Sequence, residues 1–254
     1  MASANILNTD GSTLKSVELP SAFMEAVRPD LISRAAIAEN TTKLQPQAHY
    51  VLAGMQTTAR YYGAMNSYRT GRHMGIAIRP REKLGGGVQG KVKRIPSAVK
   101  GKRAHPHLVE KKIVERINAK EYQKALRSAV AASKEPVFVS SNMESISRTK
   151  DVIKMLGSLK LAQQLARGRE KVTRKGIRRA SRQRSYKKSI LIIVDSDKGI
   201  IRAARNIPGV DVCSLNGLSV NLLAPGGNPG RRTVWSEGAV SKLDSEISNM
   251  KLRR

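Results

Sequence analysis

The sequence predicts an α/β fold: a single globular domain with a mostly parallel sheet flanked by helices, plus a long basic extended loop. Two observations carry this reading. Over most of the chain, short apolar runs of strand length alternate with stretches of helical period, the pattern of a parallel sheet covered on both faces. In two segments, 45–109 and about 167–188, that alternation stops and positive charge accumulates. They hold 23 of the 47 Lys+Arg and only two of the 19 acids, Glu82 and Glu170. The expected organisation is therefore a globular domain at 1–44 and 110–254, with a basic insertion at about 167–188, and an extended loop at 45–109.

The elements follow in order. Ser16–Leu19 is a strand candidate ended by Pro20, which has no N–H for a ladder. Asp30 is the expected N-cap of a helix reaching Thr42, with Leu31, Ile32, Ala35 and Ala38 on one side. From Glu110 to about Ser133 the period is most clearly helical. Its apolar face holds Ile113, Val114, Ile117, Tyr122, Ala125, Leu126, Ala129 and Val130. Val137–Ser140 reads as a short buried strand, followed by helices at 149–156 and 159–166 separated by Gly157. Ile190–Val194 is the best strand in the chain. A helix at 198–206, a strand at 210–213 and a turn with an apolar stretch at 216–223 come next. Ser236 is the expected cap of a final helix from Ala239 to about Met250. No internal repeat is visible.

A formal charge of +28 and a pI near 10.8 point to a dense polyanion as partner, and nucleic acid is the commonest one. The membrane alternative finds no support. No apolar run approaches the ~20 residues that span a bilayer, and no helix pairs a basic face with a Trp/Phe face. Met1–Leu7 lacks the positive start and apolar stretch of a signal peptide, so an intracellular, soluble protein is expected. Cys213 is the sole cysteine, leaving no disulfide framework or cysteine metal cluster, and is read as a small core residue.

The loop carries Arg60, Arg69, Arg72, Arg79, Arg81, Lys83, Lys91, Lys93, Arg94, Lys100, Lys102 and Arg103 among recurring glycines and prolines. Tyr50, Tyr61, Tyr62 and Tyr68 are interleaved with these charges. Glycine lets backbone approach phosphate, and arginine bonds phosphate with parallel donors. Alone, such a segment cannot bury enough apolar surface to offset its ordering entropy; against RNA it can. Run out and back as a hairpin, each arm could reach at most roughly 100 Å. The second segment adds Arg174, Lys175, Arg178, Arg179, Arg182 and Arg184, assigned to RNA on charge alone.

Enzyme-like features are weaker. Asp195 and Asp197 follow the best strand, where Mg²⁺ and nucleotide sites often form. Capping of the following helix explains them more simply; an enzyme acting on RNA or nucleotide, with both as metal ligands, is the competing class. A free nucleic-acid regulator is a third. Gly85-Gly86-Gly87-Val88-Gln89-Gly90-Lys91 lacks the Lys-Ser/Thr pair of a phosphate-cradling Walker loop. His49, His73, His105 and His107 all lie in the loop and form no closed ligand set. No cofactor and no metal are expected.

The segment Lys93-Arg-Ile-Pro-Ser-Ala-Val-Lys-Gly-Lys-Arg-Ala-His-Pro-His107 closely resembles the universal large-subunit ribosomal protein L-four family in its archaeal form. So do 27–32, 203–211, 222–226 and 229–238, in the same order and over nearly the whole chain. The resemblance implies a non-enzymatic constituent of the large ribosomal subunit in the cytoplasm, working in translation. Such a protein binds large-subunit rRNA directly, supports assembly and touches neighbouring ribosomal proteins. It further implies that the loop from Thr70 through Arg103 penetrates RNA and helps line the peptide exit tunnel. Its tip, around Glu82, Leu84, Gly85, Gly86, Gly87 and Gln89, would lie near the nascent peptide.

Overall fold

The structure, a computed structural model, describes residues 3–61, 63, 65, 72–73, 75–172, 186–250 and 252. In chain order it runs β1 (Ser3–Leu7), β2 (Thr13–Glu18), α1 (Pro29–Thr42), β3 (Arg81–Lys83), β4 (Gln89–Val92), α2 (Ala119–Ala131) and β5 (Lys134–Val139). It continues through α3 (Thr149–Ser158), α4 (Ala162–Arg169), β6 (Ile190–Val194), α5 (Ile200–Ala204), β7 (Val210–Ser214), α6 (Val220–Leu223), β8 (Arg232–Ser236) and α7 (Glu237–Asn249). Two compact units result: Met1–Lys43 with Val114–Arg254, and Leu44–Ile113.

The first unit is the α/β domain. Its six strands lie in the order β2-β1-β5-β8-β6-β7, and only the β1–β2 pair is antiparallel. Strand β6 shows how the core is divided. All five of its residues are buried, and the pleat sends successive side chains to opposite faces. Leu191 and Ile193 join Ile32, Leu126, Trp235 and Leu243 on one face; Ile190, Ile192 and Val194 join Val152, Leu156 and Ile200 on the other. Burial on both faces is why the strand reads as an unbroken apolar run rather than an alternation.

Several sequence expectations are corrected. The helix expected over 110–133 begins only at Ala119, with extended backbone at Asn118. Residues 110–118 are not helical, because tertiary contacts outweigh their period: Ile117 packs on the core and the Glu115 N–H donates to Thr41 Oγ1 at 3.1 Å. Asp30 is not the cap of α1. Arg28 holds that position, Pro29 fills the first turn where a missing N–H is harmless, and Asp30 pairs with Arg28 at 2.8 Å. Gly157 lies inside α3 rather than after it, and α4 starts three residues later than expected. Helix α5 is shorter than 198–206. Strands β1 and β8 went unseen. β8 opens on Arg232 and has only Val234 and Trp235 as large apolar residues, so it resembles a loop in sequence although it is interior to the sheet. The final helix is capped as expected, with Ser236 Oγ accepting from the Ala239 N–H at 3.3 Å.

The second unit contains the β3–β4 hairpin, paired Arg81↔Val92 and Lys83↔Gln89, turning through Gly85–Gly87 with Gly86 at φ +75°. Ala59 is its one buried hydrophobic residue among those described.

Candidate nucleic-acid interface

Backbone turns place several basic residues of the second unit. Arg60 and Arg81 exchange N–H···O bonds at 3.2 and 3.3 Å as an antiparallel bridge, which sets two arginines directly opposite each other. Like charges so placed repel unless an anion lies between them. The Ala98 N–H donates to Ile95 O, and the Gly101 N–H to Ala98 O, folding 93–101 into a tight knot. A Cβ on Gly101 would stand 2.0 Å from Ile95 O, so only glycine fits. Arg94 and Lys100 adopt left-handed backbone there, at φ +67° and +59°.

Side-chain bonds aim several cations without neutralising them. Arg81 Nη2 donates to Ala77 O at 3.1 Å, Lys93 Nζ to Val99 O at 3.3 Å, Arg94 Nη2 to Thr57 O at 3.4 Å and Arg79 Nη1 to Ser97 Oγ at 3.4 Å. Among the described residues no acid pairs with any of Arg60, Arg72, Arg79, Arg81, Lys91, Lys93, Arg94, Lys100, Lys102 or Arg103. Most of these residues are exposed, and so are Tyr50, Tyr61, Val51 (76%) and Val99 (83%). Exposed cations beside exposed aromatic and aliphatic surface suit a polyanion that also offers stacking faces. At the hairpin, Lys83, Leu84, Gly85, Gly86 and Val88 are exposed and Glu82 is half-buried; Gly87 closes the turn and Gln89 opens β4. Arg69, Arg174, Lys175, Arg178, Arg179, Arg182 and Arg184, with Tyr62, Tyr68 and Thr70, lie outside the described residues.

The first unit holds its charges differently. Asp195 takes Lys242 Nζ at 2.7 Å, which also raises that lysine's pKa. Asp197 Oδ1 accepts from the Gly199 and Ile201 N–H groups, serving the start of α5 as expected of a cap; Asp195 does not. The buried Glu144 accepts from the Asp195 N–H and Ser196 Oγ, both at 3.1 Å. Glu39, also buried, accepts from Tyr122 Oη (2.7 Å) and from the N–H groups of Val220 (2.7 Å) and Asn221 (2.9 Å), and so caps α6. These carboxylates are used up within the fold. No group of three metal-ligating side chains occurs among the described residues. Cys213 is buried as expected, and burial pushes its thiol up to about 12.

Reading the residues singly missed a polar cleft of about 490 Å³ where β5, β6 and β8 begin. Lys134, Arg167, Lys188, Arg231 and Arg232 line it. Arg231 is anchored inside: Nη1 donates to Leu222 O (2.7 Å), and Nη2 to Ile190 O (2.7 Å) and Asp211 Oδ2 (2.6 Å). Burial lowers its pKa, and Asp211 opposes that. The available signal was Asp211 itself, a lone acid inside the apolar strand Val-Asp-Val-Cys.

Residues 17–246 match the family described as Ribosomal protein L4/L1. The chain is 37% identical over 257 residues to the large ribosomal subunit protein uL4 of Archaeoglobus fulgidus, covering 94% of this chain and 97% of that one. It is 36% identical to the protein of that name from Methanocaldococcus jannaschii (94% and 97% covered) and 39% identical to that from Methanococcus maripaludis strain C7 (95% and 98% covered).

Proposed function

Since the chain belongs to the Ribosomal protein L4/L1 family, a family of structural ribosomal proteins and not of enzymes, we propose that this constituent of the large subunit binds large-subunit rRNA directly through its basic second unit. The observation that carries this reading is the set of ten loop cations named above, which have no acidic ion-pair partner among the described residues, with Gly101 shaping the turn that carries Arg94 and Lys100. Phosphate neutralisation positions such a protein, and RNA shape supplies specificity. Arg69 and, in the 167–188 segment, Arg174, Lys175, Arg178, Arg179, Arg182 and Arg184 act in the same way, and residues 45–109 form the penetrating loop. Its tip, from Glu82 to Gln89, lies beside the peptide exit tunnel and the nascent peptide, with neighbouring ribosomal proteins around the α/β domain.

Sedimentation of a lysate in low and then high salt tests the reading. The expected result is persistent co-sedimentation with the large subunit through the high-salt wash, because an entrenched loop resists counterion competition. Release at moderate salt would identify a peripheral binder and overturn it.

A further inference from the structure

Building on that rRNA-binding reading, we propose that the cleft at the starting edge of β5, β6 and β8 is a second, separate rRNA site, gripping backbone phosphates with Lys134, Arg167, Lys188 and Arg232. Charge is the first argument. Five cations line the cleft against one acid, Glu135. Glu135 pairs with Arg232, and Asp211 is shared by Lys188 (2.5 Å) and Arg231 (2.6 Å). Lys134 and Arg167 have no acidic ion-pair partner among the described residues.

The second argument is construction. Arg231, its side chain 2% exposed, forms a fixed positive floor, and its Nε is buried with no partner among the described residues. A buried unpaired donor is costly unless something supplies an acceptor. Gly230, at φ +104°, lets the Lys134 stem lie across it; a Cβ there would come within 3.2 Å of Lys134 Cε. Asn228 and Gln164 add neutral amide donors, and the only apolar lining comes from Pro225, Pro229 and Gly230. That lining favours an anion over an apolar protein surface.

The third argument is continuity. Lys171 and Tyr186 form an antiparallel bridge, and the Lys187 N–H donates to Glu170 O at 3.1 Å, so the basic insertion leaves the domain beside Arg167 and Lys188. Between Lys171 and Tyr186 the sequence holds six Lys+Arg and no acid. Cations in the cleft, followed in sequence by a basic insertion, match a repeating phosphate backbone better than an acidic protein patch.

The test is binding of the full chain to protein-free large-subunit rRNA across a salt series. A Lys134→Gln/Arg167→Gln variant is compared with Lys150→Gln/Lys154→Gln, which removes equal charge from exposed positions on α3. The expected result is about tenfold weaker binding for the cleft variant, a salt slope shallower by about 1.5, an unchanged melt and a control near the parent. Restored affinity in Lys134→Arg/Arg167→Lys would support local contacts. Equal behaviour of cleft and control variants would overturn the cleft site, leaving it at most to a protein partner, while the loop reading stands. A parent chain that fails to bind rRNA would instead remove the reading on which the site rests.

Discussion

In the α/β unit, Ile190–Val194 are enclosed on both faces and the carboxylates at the sheet ends meet partners, as Asp195 meets Lys242 and Glu39 meets three donors. In the unit 44–113, Ala59 alone is a buried hydrophobic residue among those described, while Val51, Val99, Tyr50 and Tyr61 face outward in a segment whose Arg81 and Lys93 donate to backbone carbonyls. Ordering a residue costs on the order of 1–2 kcal/mol of backbone entropy. One unit offsets that cost with its own core. The other buries only Ala59 among its described hydrophobic residues, and on the reading proposed above a partner surface offsets the cost. On that reading, one chain thus joins a self-sufficient anchor to a segment that RNA completes.

The largest expected effect comes from separating the two. Removing Gly71 to Arg103 should nearly abolish incorporation into large subunits, while circular dichroism still shows one cooperative melt. Loss of that melt would break the comparison, since the loop would then belong to the core. Point substitutions sharpen it. Trp235, fully buried and in T-shaped contact with Phe23 at 5.3 Å, should lose about 3–5 kcal/mol of unfolding free energy on replacement by Ala. Val99→Ala in the second unit should change it by less than ~0.5 kcal/mol. Denaturant unfolding of both variants measures the contrast directly.

Legibility in the sequence divides along the same line. Ile190–Val194 and the Ser236-capped final helix were readable because burial on both faces and a hydroxyl before the helix leave local signatures. β8 was not, because its place in the sheet depends on neighbours distant in sequence: Val234 lies opposite Val137 and Ile192. The helical period ahead of Asn118 misled for the opposite reason, since a local pattern lost to packing of Ile117 on the core. Charge and glycine content pointed to the loop as the RNA-facing part, the role proposed for it here. Its internal pairing was not readable; nothing local announces that Arg60 faces Arg81. The cleft was hidden because Lys134, Arg167, Lys188 and Arg232 come from four separate stretches.

Gly101→Ala tests whether the knot at 93–101 presents cations rather than merely connecting strands. Its new Cβ would overlap Ile95 O, so the turn must open and shift Arg94 and Lys100. Affinity for protein-free rRNA should fall by about fivefold with the global melt unmoved, since such local openings lie below global unfolding. An unchanged affinity would mean that the geometry of these turns does not matter to RNA contact.

The smallest effect is confined to the α/β unit and comes from Cys213. Burial raises its thiol from about 9.0 to about 12, with Arg231 pulling the other way. The native state therefore keeps the proton where the unfolded chain releases it. The stability held in that proton is intact below about pH 9 and is lost as pH rises towards about 12. At pH 10 the loss should be about 1 kcal/mol, visible as a smaller stability gap between the parent and Cys213→Ala than at pH 8. Because Cys213 sits only in the self-sufficient core, removing residues 71–103 should leave that pH dependence unchanged. If the truncation shifted it, the two units would be coupled in stability, and the division between anchor and RNA-completed loop would fail at its most sensitive point.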